Sequence, residues 1–174
     1  MYISYNKIMR IGIIGPNKAA EEKLAKHQEL LAKVAEIVAK TGNDIVLTPD
    51  SNSLLEYFAD KYQQYDGKKV WLVIPTDEPD HEDYLNTKLG EVISCQTWDR
   101  QADEFNRQCD VFVCVGYSWG AMKEIACAQY FNNKKVYILT EFISDKLPKE
   151  LNFLVEYIAI NDLWLSLNNH TQNT

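Results

Sequence analysis

The chain has 174 residues, an apolar fraction of 46% and a formal net charge of −7. This length and apolar content fit a single globular domain with a normal core. The acidic balance, without a Lys/Arg stripe, argues against binding a phosphate backbone, so we expect no nucleic-acid partner. The sequence has no apolar run long enough for a membrane span and no signal peptide at its start, so we expect a cytoplasmic protein without a membrane partner.

Strands and helices alternate in the first half of the chain. Apolar residues recur at helical spacing between residues 19 and 40, and Gly42 is placed as a helix stop. The predicted elements are a polar extension over residues 1–8, strand Met9–Ile14, helix Ala19–Lys40, strand Asp44–Thr48, a helix from Leu54 and strand Lys69–Ile74.

The second half continues the alternation after a loop rich in Asp, Glu and Pro. The predicted elements are loop Pro75–Asp83, strand Leu89–Ser94, helix Thr97–Gln108, strand Val111–Val115, helix Gly120–Phe131 ended by Asn132-Asn133, strand Lys135–Leu139, a helix from Leu147-Pro148, strand Tyr157–Ile160, helix Leu163–Leu167 and a frayed polar tail from Asn168 to Thr174. The acidic loop does not have the spacing of a calcium loop.

This β-α alternation over residues 1–174, without repeats or a linker, predicts one doubly wound, mostly parallel α/β domain with three α/β/α layers. Ligands in such sheets bind at the carboxyl ends of the strands, near the switch in strand order. Four loops are expected to converge there: Gly15–Lys18, Thr48–Ser53, Pro75–Asp80 and Gly116–Gly120.

The segment from Asp110 to Ala128 is the most informative part of the chain. A short apolar run ends at Gly116, and a helical pattern opens near Gly120 with Glu124 in its first turns. A strand, a glycine-bearing turn and a helix N-terminus aim free backbone N–H groups at one point, where a phosphate can bind. Glu124 is then either a ligand-facing carboxylate or a solvated helix residue.

Other candidate ligand contacts follow the predicted strands: Gly15, Pro16, Asn17, Asp50, Ser51, Ser53, Tyr117, Ser118, Trp119 and Ala121. Asp50 and Ser51 fit a helix cap as well as a ligand contact. Tyr117 and Trp119 either stack on a flat ring or pack beneath their loop.

Histidines and cysteines show no metal-ligand spacing, so we expect no metal and no resident cofactor. The four cysteines form no CxxC pair, and two of them lie in apolar segments. They are interpreted as reduced thiols in a cytoplasmic protein.

The four loops, in their order along the chain, resemble those of the lysine-decarboxylase-like or LOG (Lonely Guy) family. They also resemble those of its smaller Rossmann-fold relatives, which are described as nucleotide-binding proteins or molybdenum-cofactor carriers. The resemblance runs from about Met9 to Leu139. The family signature Pro-Gly-Gly-x-Gly-Thr-x-x-Glu corresponds to residues 116–124, where only Gly120 and Glu124 match strictly. The family's glycine-rich second loop corresponds to Pro49–Leu54, which has no glycine.

The resemblance implies a LOG-like, Rossmann-like fold, a nucleotide or nucleotide-like ligand and a homodimer through helices near the site. In the family's enzymes, an Arg and the signature Glu serve the cleavage of a nucleoside 5′-monophosphate into base and ribose phosphate. Glu124 matches that Glu. Arg100 is the nearest Arg, but it falls one residue early and Gln101 takes the family position.

Three functions are therefore open. The first is a LOG-like nucleotide-binding protein, with N-glycosidic hydrolysis by Glu124 and Arg100 if it is an enzyme. The second is a 2-deoxyribosyltransferase-like enzyme, whose signature resembles residues 116–136 and makes Glu124 a covalent nucleophile. The third is a non-catalytic sensor or partner-binding domain with a degenerate phosphate cradle, which the missing glycines favour.

Overall fold

The computed structural model describes residues 8–18, 21–131, 134–151 and 154–172. Seven strands form one sheet in the order β4-β3-β2-β1-β5-β6-β7, and every neighbouring pair is parallel. The strands are β1 Arg10–Ile14, β2 Asp44–Leu47, β3 Val70–Ile74, β4 Glu91–Ser94, β5 Val111–Cys114, β6 Val136–Leu139 and β7 Val155–Ile158.

Within the described residues, six α-helices connect or flank these strands. They are α1 Glu21–Lys40, α2 Leu54–Gln64, the single turn α3 His81–Tyr84, α4 Gln101–Gln108, α5 Trp119–Tyr130 and α6 Leu163–Gln172. Their apolar residues form two separate cores, one on each face of the sheet. Helices α1, α2 and α6 pack on one face and α4 and α5 on the other, which confirms the doubly wound three-layer prediction.

The central strands are apolar on both faces because both faces are covered. In β1, Ile11 and Ile13 point into the core under α1, while Ile14 points into the core under α5. Strand β5 lies beside β1 in register, with Ile11 opposite Val111 and Ile14 opposite Cys114. The order of the strands reverses between β1 and β5, so their carboxyl ends mark the switch point at which doubly wound folds bind ligands.

The structure differs from the sequence prediction mainly at the edges of the sheet. Loop Pro75–Asp83 contains the start of the short helix α3, and the helix expected from Leu147-Pro148 is a 3₁₀ turn at Lys149–Leu151. Strand β7 begins two residues before Tyr157. Helix α6 extends to Gln172, so most of the tail that was expected to fray is helical.

Some predictions concern residues outside those that the structure describes. They are the polar extension over residues 1–7, the helix start at residues 19–20, the helix end at residues 132–133 and the last two residues, 173–174. Within the described part of the chain, no helix is both long enough and apolar enough to cross a membrane.

Candidate functional site

A cleft of about 540 Å³ opens at the switch point, above the carboxyl ends of β1 and β5. Three loops and the first turns of α4 and α5 form its walls. The lining residues are Gly15, Pro16, Asn17, Lys18, Thr48, Asp50, Trp98, Gln101, Ala102, Tyr117, Ser118, Trp119, Gly120, Ala121, Lys123 and Glu124. The volume is within the range of small-molecule sites.

Asn17 connects the first two loops of the cleft. Its backbone oxygen accepts a hydrogen bond of 2.9 Å from the N–H of Leu54, the first residue of α2. Its side chain donates to Asp50, and this bond partly offsets the effect of burial, which raises the pKa of Asp50. Because the loop after β1 holds the loop after β2 in this way, Asp50 is fixed inside the cleft.

The N-terminus of α5 forms the opposite wall. Ser118 is its cap: the Ser118 Oγ accepts a 3.0 Å hydrogen bond from the N–H of Ala121. The helix start therefore leaves the N–H groups of Trp119 and Gly120 without an intrahelical acceptor, as at any N-terminus. The Trp119 side chain is 94% exposed, so its ring is not part of a packed cluster and is available to a ligand.

Glu124 lies one turn further along α5 and is only 8% exposed. Burial, followed by the negative charge of Asp50, raises the pKa of Glu124 from 4.5 to about 8, against a smaller opposing effect of Lys123. At neutral pH its carboxyl group is therefore mostly protonated and can donate a hydrogen bond. The neutral form also removes one negative charge from a cleft that already contains Asp50.

Asn106, which is fully buried, joins α4 to α5 beneath the cleft. Its Nδ2 donates to the backbone oxygens of Ala102 at 3.1 Å and Glu124 at 3.2 Å. The two helices that carry Gln101 and Glu124 are held together by this amide. Gln101 itself donates from Nε2 to the oxygen of Val73 at 3.0 Å, which positions its side chain between the sheet and the cleft.

Most of the predicted site residues lie in this cleft, but four do not. Ser53 caps α2 by accepting a 3.1 Å hydrogen bond from the N–H of Glu56. Ser51 lines a separate small cavity at α3, and Gly116 lines a chamber next to the cleft. Arg100 lines a third cavity beyond β4 and donates to Gln96. Its side chain is therefore directed away from the cleft, and Gln101 takes its place.

The loop Pro75–Asp80, which was expected to join the other three, contributes no lining residue to the cleft. It hydrogen-bonds instead to the chain after β4: the N–H of Asp77 donates to the oxygen of Gln96 at 2.8 Å. Pairing with the edge strand thus draws this loop away from the switch point.

Six lining residues were not among the predicted ligand contacts, although Lys18 and Thr48 belong to loops that were expected at the site and Gln101 occupies the family position of the Arg: Lys18, Thr48, Trp98, Gln101, Ala102 and Lys123. Lys18 and Lys123 are direct neighbours of predicted residues, and each adds a positive charge to the cleft. Lys18 could have been predicted as a lining residue from the sequence, because it is adjacent to Asn17 in a loop that follows a strand. Within the described residues, no group of three or more His, Cys, Asp or Glu side chains is arranged to hold a metal ion.

The fold and the cleft define the class of protein as Rossmann-like, with its site at the switch point of a parallel sheet. The model of the SLOG cluster4 family matches residues 8–160, and the chain belongs to that family. The LOG-like resemblance is thereby confirmed, because the SLOG superfamily includes the LOG-like proteins. No curated protein sequence matches the chain significantly.

Solved structures with the same fold include two cofactor-binding proteins. The Moco carrier protein from Chlamydomonas reinhardtii has a TM-score of 0.75 and 17% identity, over 97% of this chain and 100% of its own. The molybdenum cofactor binding protein from Rippkaea orientalis has a TM-score of 0.74 and 16% identity, over 94% and 97%.

A third similar structure corrects one expectation. DNA processing protein A from Helicobacter pylori has a TM-score of 0.65 and 14% identity, over 92% of this chain and 80% of its own, and it binds single-stranded DNA. The inference from net charge that a nucleic-acid partner is excluded is therefore wrong. Net charge describes the whole surface, whereas binding depends on the local charge of one site.

Proposed function

We propose that this protein binds a nucleotide-like small molecule in the cleft and acts as a carrier or sensor. The observation that carries the proposal is the position of the exposed Trp119 ring directly beside the free N–H groups at the start of α5, in one cleft at the switch point. A ring that stacks on the base and backbone N–H groups that donate hydrogen bonds to the phosphate are the two contacts that a nucleotide needs.

Each wall has a role in this proposal. The backbone N–H groups of Trp119 and Gly120, with the Lys18 ammonium, bind the phosphate. The indole of Trp119 stacks on the ring. The protonated carboxyl of Glu124 and the carboxylate of Asp50 bind hydroxyl or ring N–H groups of the ligand, one as donor and one as acceptor.

The residues favour binding over catalysis. Arg100, which the family resemblance pairs with the signature Glu, lies in another cavity, and the cleft offers Gln101 instead. A neutral amide cannot neutralise the charge of a phosphate. Cofactor-carrying relatives of the same fold, such as the Moco carrier protein from Chlamydomonas reinhardtii, make a carrier role reasonable for this chain.

N-glycosidic hydrolysis is the second candidate, because the raised pKa of Glu124 in a buried cleft is typical of a general acid. Such an enzyme releases free base from a nucleoside monophosphate, and Glu124→Gln would abolish that release. The deoxyribosyltransferase alternative is less favoured, since a covalent nucleophile must be ionised and Glu124 is mostly protonated at neutral pH.

A thermal-shift screen tests the proposed function. The panel contains nucleoside mono- and diphosphates, nucleosides, ribose 5-phosphate, a pterin and a short oligothymidylate. A ligand that binds only the folded state raises the unfolding temperature with concentration. We expect a shift with at least one phosphate-bearing ring compound, reduced in Trp119→Ala and retained in Trp164→Ala, which removes an exposed indole from α6. No shift with any compound at millimolar concentration contradicts the proposal.

We also propose that the chain forms a homodimer through α4 and α5. Beyond the cleft, the outer face of α5 exposes Ala126 and Tyr130, which lie four residues apart on one side of the helix. A helix that is apolar on several faces is usually covered. Light scattering at micromolar concentration tests this proposal, and a monomer that persists at 100 micromolar contradicts it.

The cytoplasm is the proposed compartment, because all four cysteines are free thiols and reducing conditions keep them so. Fractionation of cells with an antibody against the chain tests this. Recovery of the protein from a secreted or envelope fraction contradicts it.

A further inference from the structure

A second cavity of about 500 Å³ adjoins the cleft on the other side of the loop after β1. We call it the α1 chamber, because α1 and the chain after β6 form its walls. Its lining residues are Pro16, Lys18, Lys26, His27, Leu30, Gly116, Tyr117, Glu141, Phe142, Ile143 and Ser144. Pro16, Lys18 and Tyr117 line both cavities, so the two spaces share one wall.

The boundary between the two cavities is thin because Gly116 has no side chain. Its φ is +135°, and a Cβ at this position would lie 3.0 Å from the Pro16 Cδ. The loops after β1 and β5 therefore approach each other closely, and the carbonyl oxygen of Phe142 lies 3.7 Å from the same point. Because these loops are in contact, a ligand that occupies both cavities must pass along Lys18 and Tyr117, which line both of them.

The outer wall of the α1 chamber is held in place by contacts of its own. The Phe142 ring packs edge-on against His27 of α1, with 5.8 Å between the ring centroids. The Oε1 of Glu141 accepts a 2.9 Å hydrogen bond from the N–H of Ile160, which ties the chain after β6 to the chain after β7. These contacts fix the chain after β6 against α1 and against the chain after β7.

The chemistry of the α1 chamber complements that of the cleft. Leu30, Phe142 and Ile143 give it an apolar wall. Its charged residues are Lys18 and Lys26 against the carboxylate of Glu141, which already accepts hydrogen bonds. It therefore suits a flat, partly apolar group, with an anion near Lys18 at the shared wall.

We propose that the ligand is dinucleotide-like: two ring-bearing halves joined by a phosphate bridge. One half lies in the cleft beside Trp119, the bridge lies at Lys18 and the start of α5, and the second ring lies in the α1 chamber. Each cavity alone has the size of a whole small-molecule site, and doubly wound folds bind dinucleotides across the switch point. This inference rests on the proposed function and specifies its ligand class.

Calorimetric titration with matched probes tests the inference. AMP and GMP serve as half-ligands, and diadenosine diphosphate and diguanosine diphosphate as the corresponding two-ring ligands. The wild-type chain is expected to bind one two-ring compound at least tenfold more tightly than its half-ligand.

Two variants of exposed residues locate the effect. Ser144→Trp fills the α1 chamber from its rim and is expected to reduce the affinity of the two-ring compound to that of the half-ligand. Lys26→Ala is expected to lower the affinity for the two-ring compound about fivefold and to leave the affinity for the half-ligand unchanged. Asp145→Trp and Lys33→Ala are the matched controls outside the chamber. If Ser144→Trp does not fold, Lys26→Ala decides.

The outcomes separate the two claims. The dinucleotide inference is overturned if the half-ligand binds and the second ring adds no affinity. It is also overturned if the gain in affinity persists in both chamber variants. Either result leaves the proposed function standing. Failure of all four compounds to bind overturns the dinucleotide inference, whereas the proposed function is decided by the broader thermal-shift panel. A gain that is lost only in the chamber variants supports both.

Discussion

Replacement of Glu124 by Gln is expected to stabilise the protein increasingly as the pH rises. The folded state raises the pKa of this carboxyl group from 4.5 to about 8. Between those values the native state holds a proton that the unfolded chain has released, so the stability of the wild type falls as the pH rises. Gln resembles the protonated carboxyl in size and is never ionised, so the variant avoids this loss.

The size of this loss in the free energy of unfolding follows from about 1.4 kcal/mol for each unit of difference in pKa between the folded and unfolded states. At full ionisation the loss is about 5 kcal/mol, at pH 7 it is about 3 kcal/mol, and at pH 5 it is about 1 kcal/mol. These values belong to a side chain that is 8% exposed, so little solvent screening reduces them. In a chain of this length, about 3 kcal/mol corresponds to roughly 6–12 °C in the unfolding temperature.

Urea unfolding followed by circular dichroism at pH 5, 7 and 9 measures the difference directly. The control is Glu29→Gln, which changes an exposed carboxylate on α1 and should parallel the wild type. If Glu124→Gln has the same free energy of unfolding as the wild type at all three pH values, the carboxyl group is ionised and solvated in the native protein. The description of the cleft as holding a neutral Glu124 is then incorrect.

Four further predictions concern the wall formed by α5 and the loop before it. Trp119→Ala should weaken ligand binding by about 10- to 100-fold in calorimetry, while its free energy of unfolding stays within about 0.5 kcal/mol of the wild type, because the ring is 94% exposed. Gly116→Ala should destabilise by about 1–3 kcal/mol, given its φ of +135° and the 3.0 Å approach to Pro16. Gly120→Ala, whose Cβ would meet only the Ser118 Oγ at 3.8 Å, should instead stabilise by roughly 0.5–1 kcal/mol, and equal effects of the two substitutions would contradict the assigned geometry. Ser118→Ala should cost about 1 kcal/mol in thermal unfolding by removing the cap of α5, and no change would mean that the cap does not form.

The core of the fold was predictable because its strands are buried on both faces. Runs such as Val111–Cys114 stay apolar at every position, and the helices between them show helical spacing of apolar residues. The edge was harder to predict. In β4 most side chains are exposed, so the strand has little apolar pattern, and the segment after β6 contains short 3₁₀ turns that have no periodicity.

The sequence predicted the candidate site residues whose positions follow from the path of the backbone. It did not predict those whose contribution depends on the direction of a side chain. Asn17 lies in the loop after β1, and Trp119 and Glu124 lie in the first two turns of the helix after β5, so the topology of the sheet brings them together. Arg100 was expected in the site, but a difference of one residue at the start of α4 rotates it toward Gln96 and leaves Gln101 at the cleft. Ser53 was predicted as a ligand contact, but in the structure its Oγ accepts a hydrogen bond from the N–H of Glu56 and caps α2.

The raised pKa of Glu124 could not be predicted from the sequence, because it depends on burial and on one residue distant in the sequence. Asp50 comes from the loop after β2, and the burial of Glu124 depends on the packing of α4 against α5. The sequence shows only a Glu next to Lys123, which is equally typical of a solvated helix face.

The most direct test of the account is a map of ligand contacts on the folded protein. In ¹⁵N–¹H correlation spectra recorded during titration with AMP or diadenosine diphosphate, we expect the largest shifts at the amides of Asn17, Trp119 and Gly120 and at the indole N–H of Trp119. Shifts confined to the cavity that Arg100 lines, or no shifts at millimolar ligand, would contradict the claim that the switch-point cleft is the binding site.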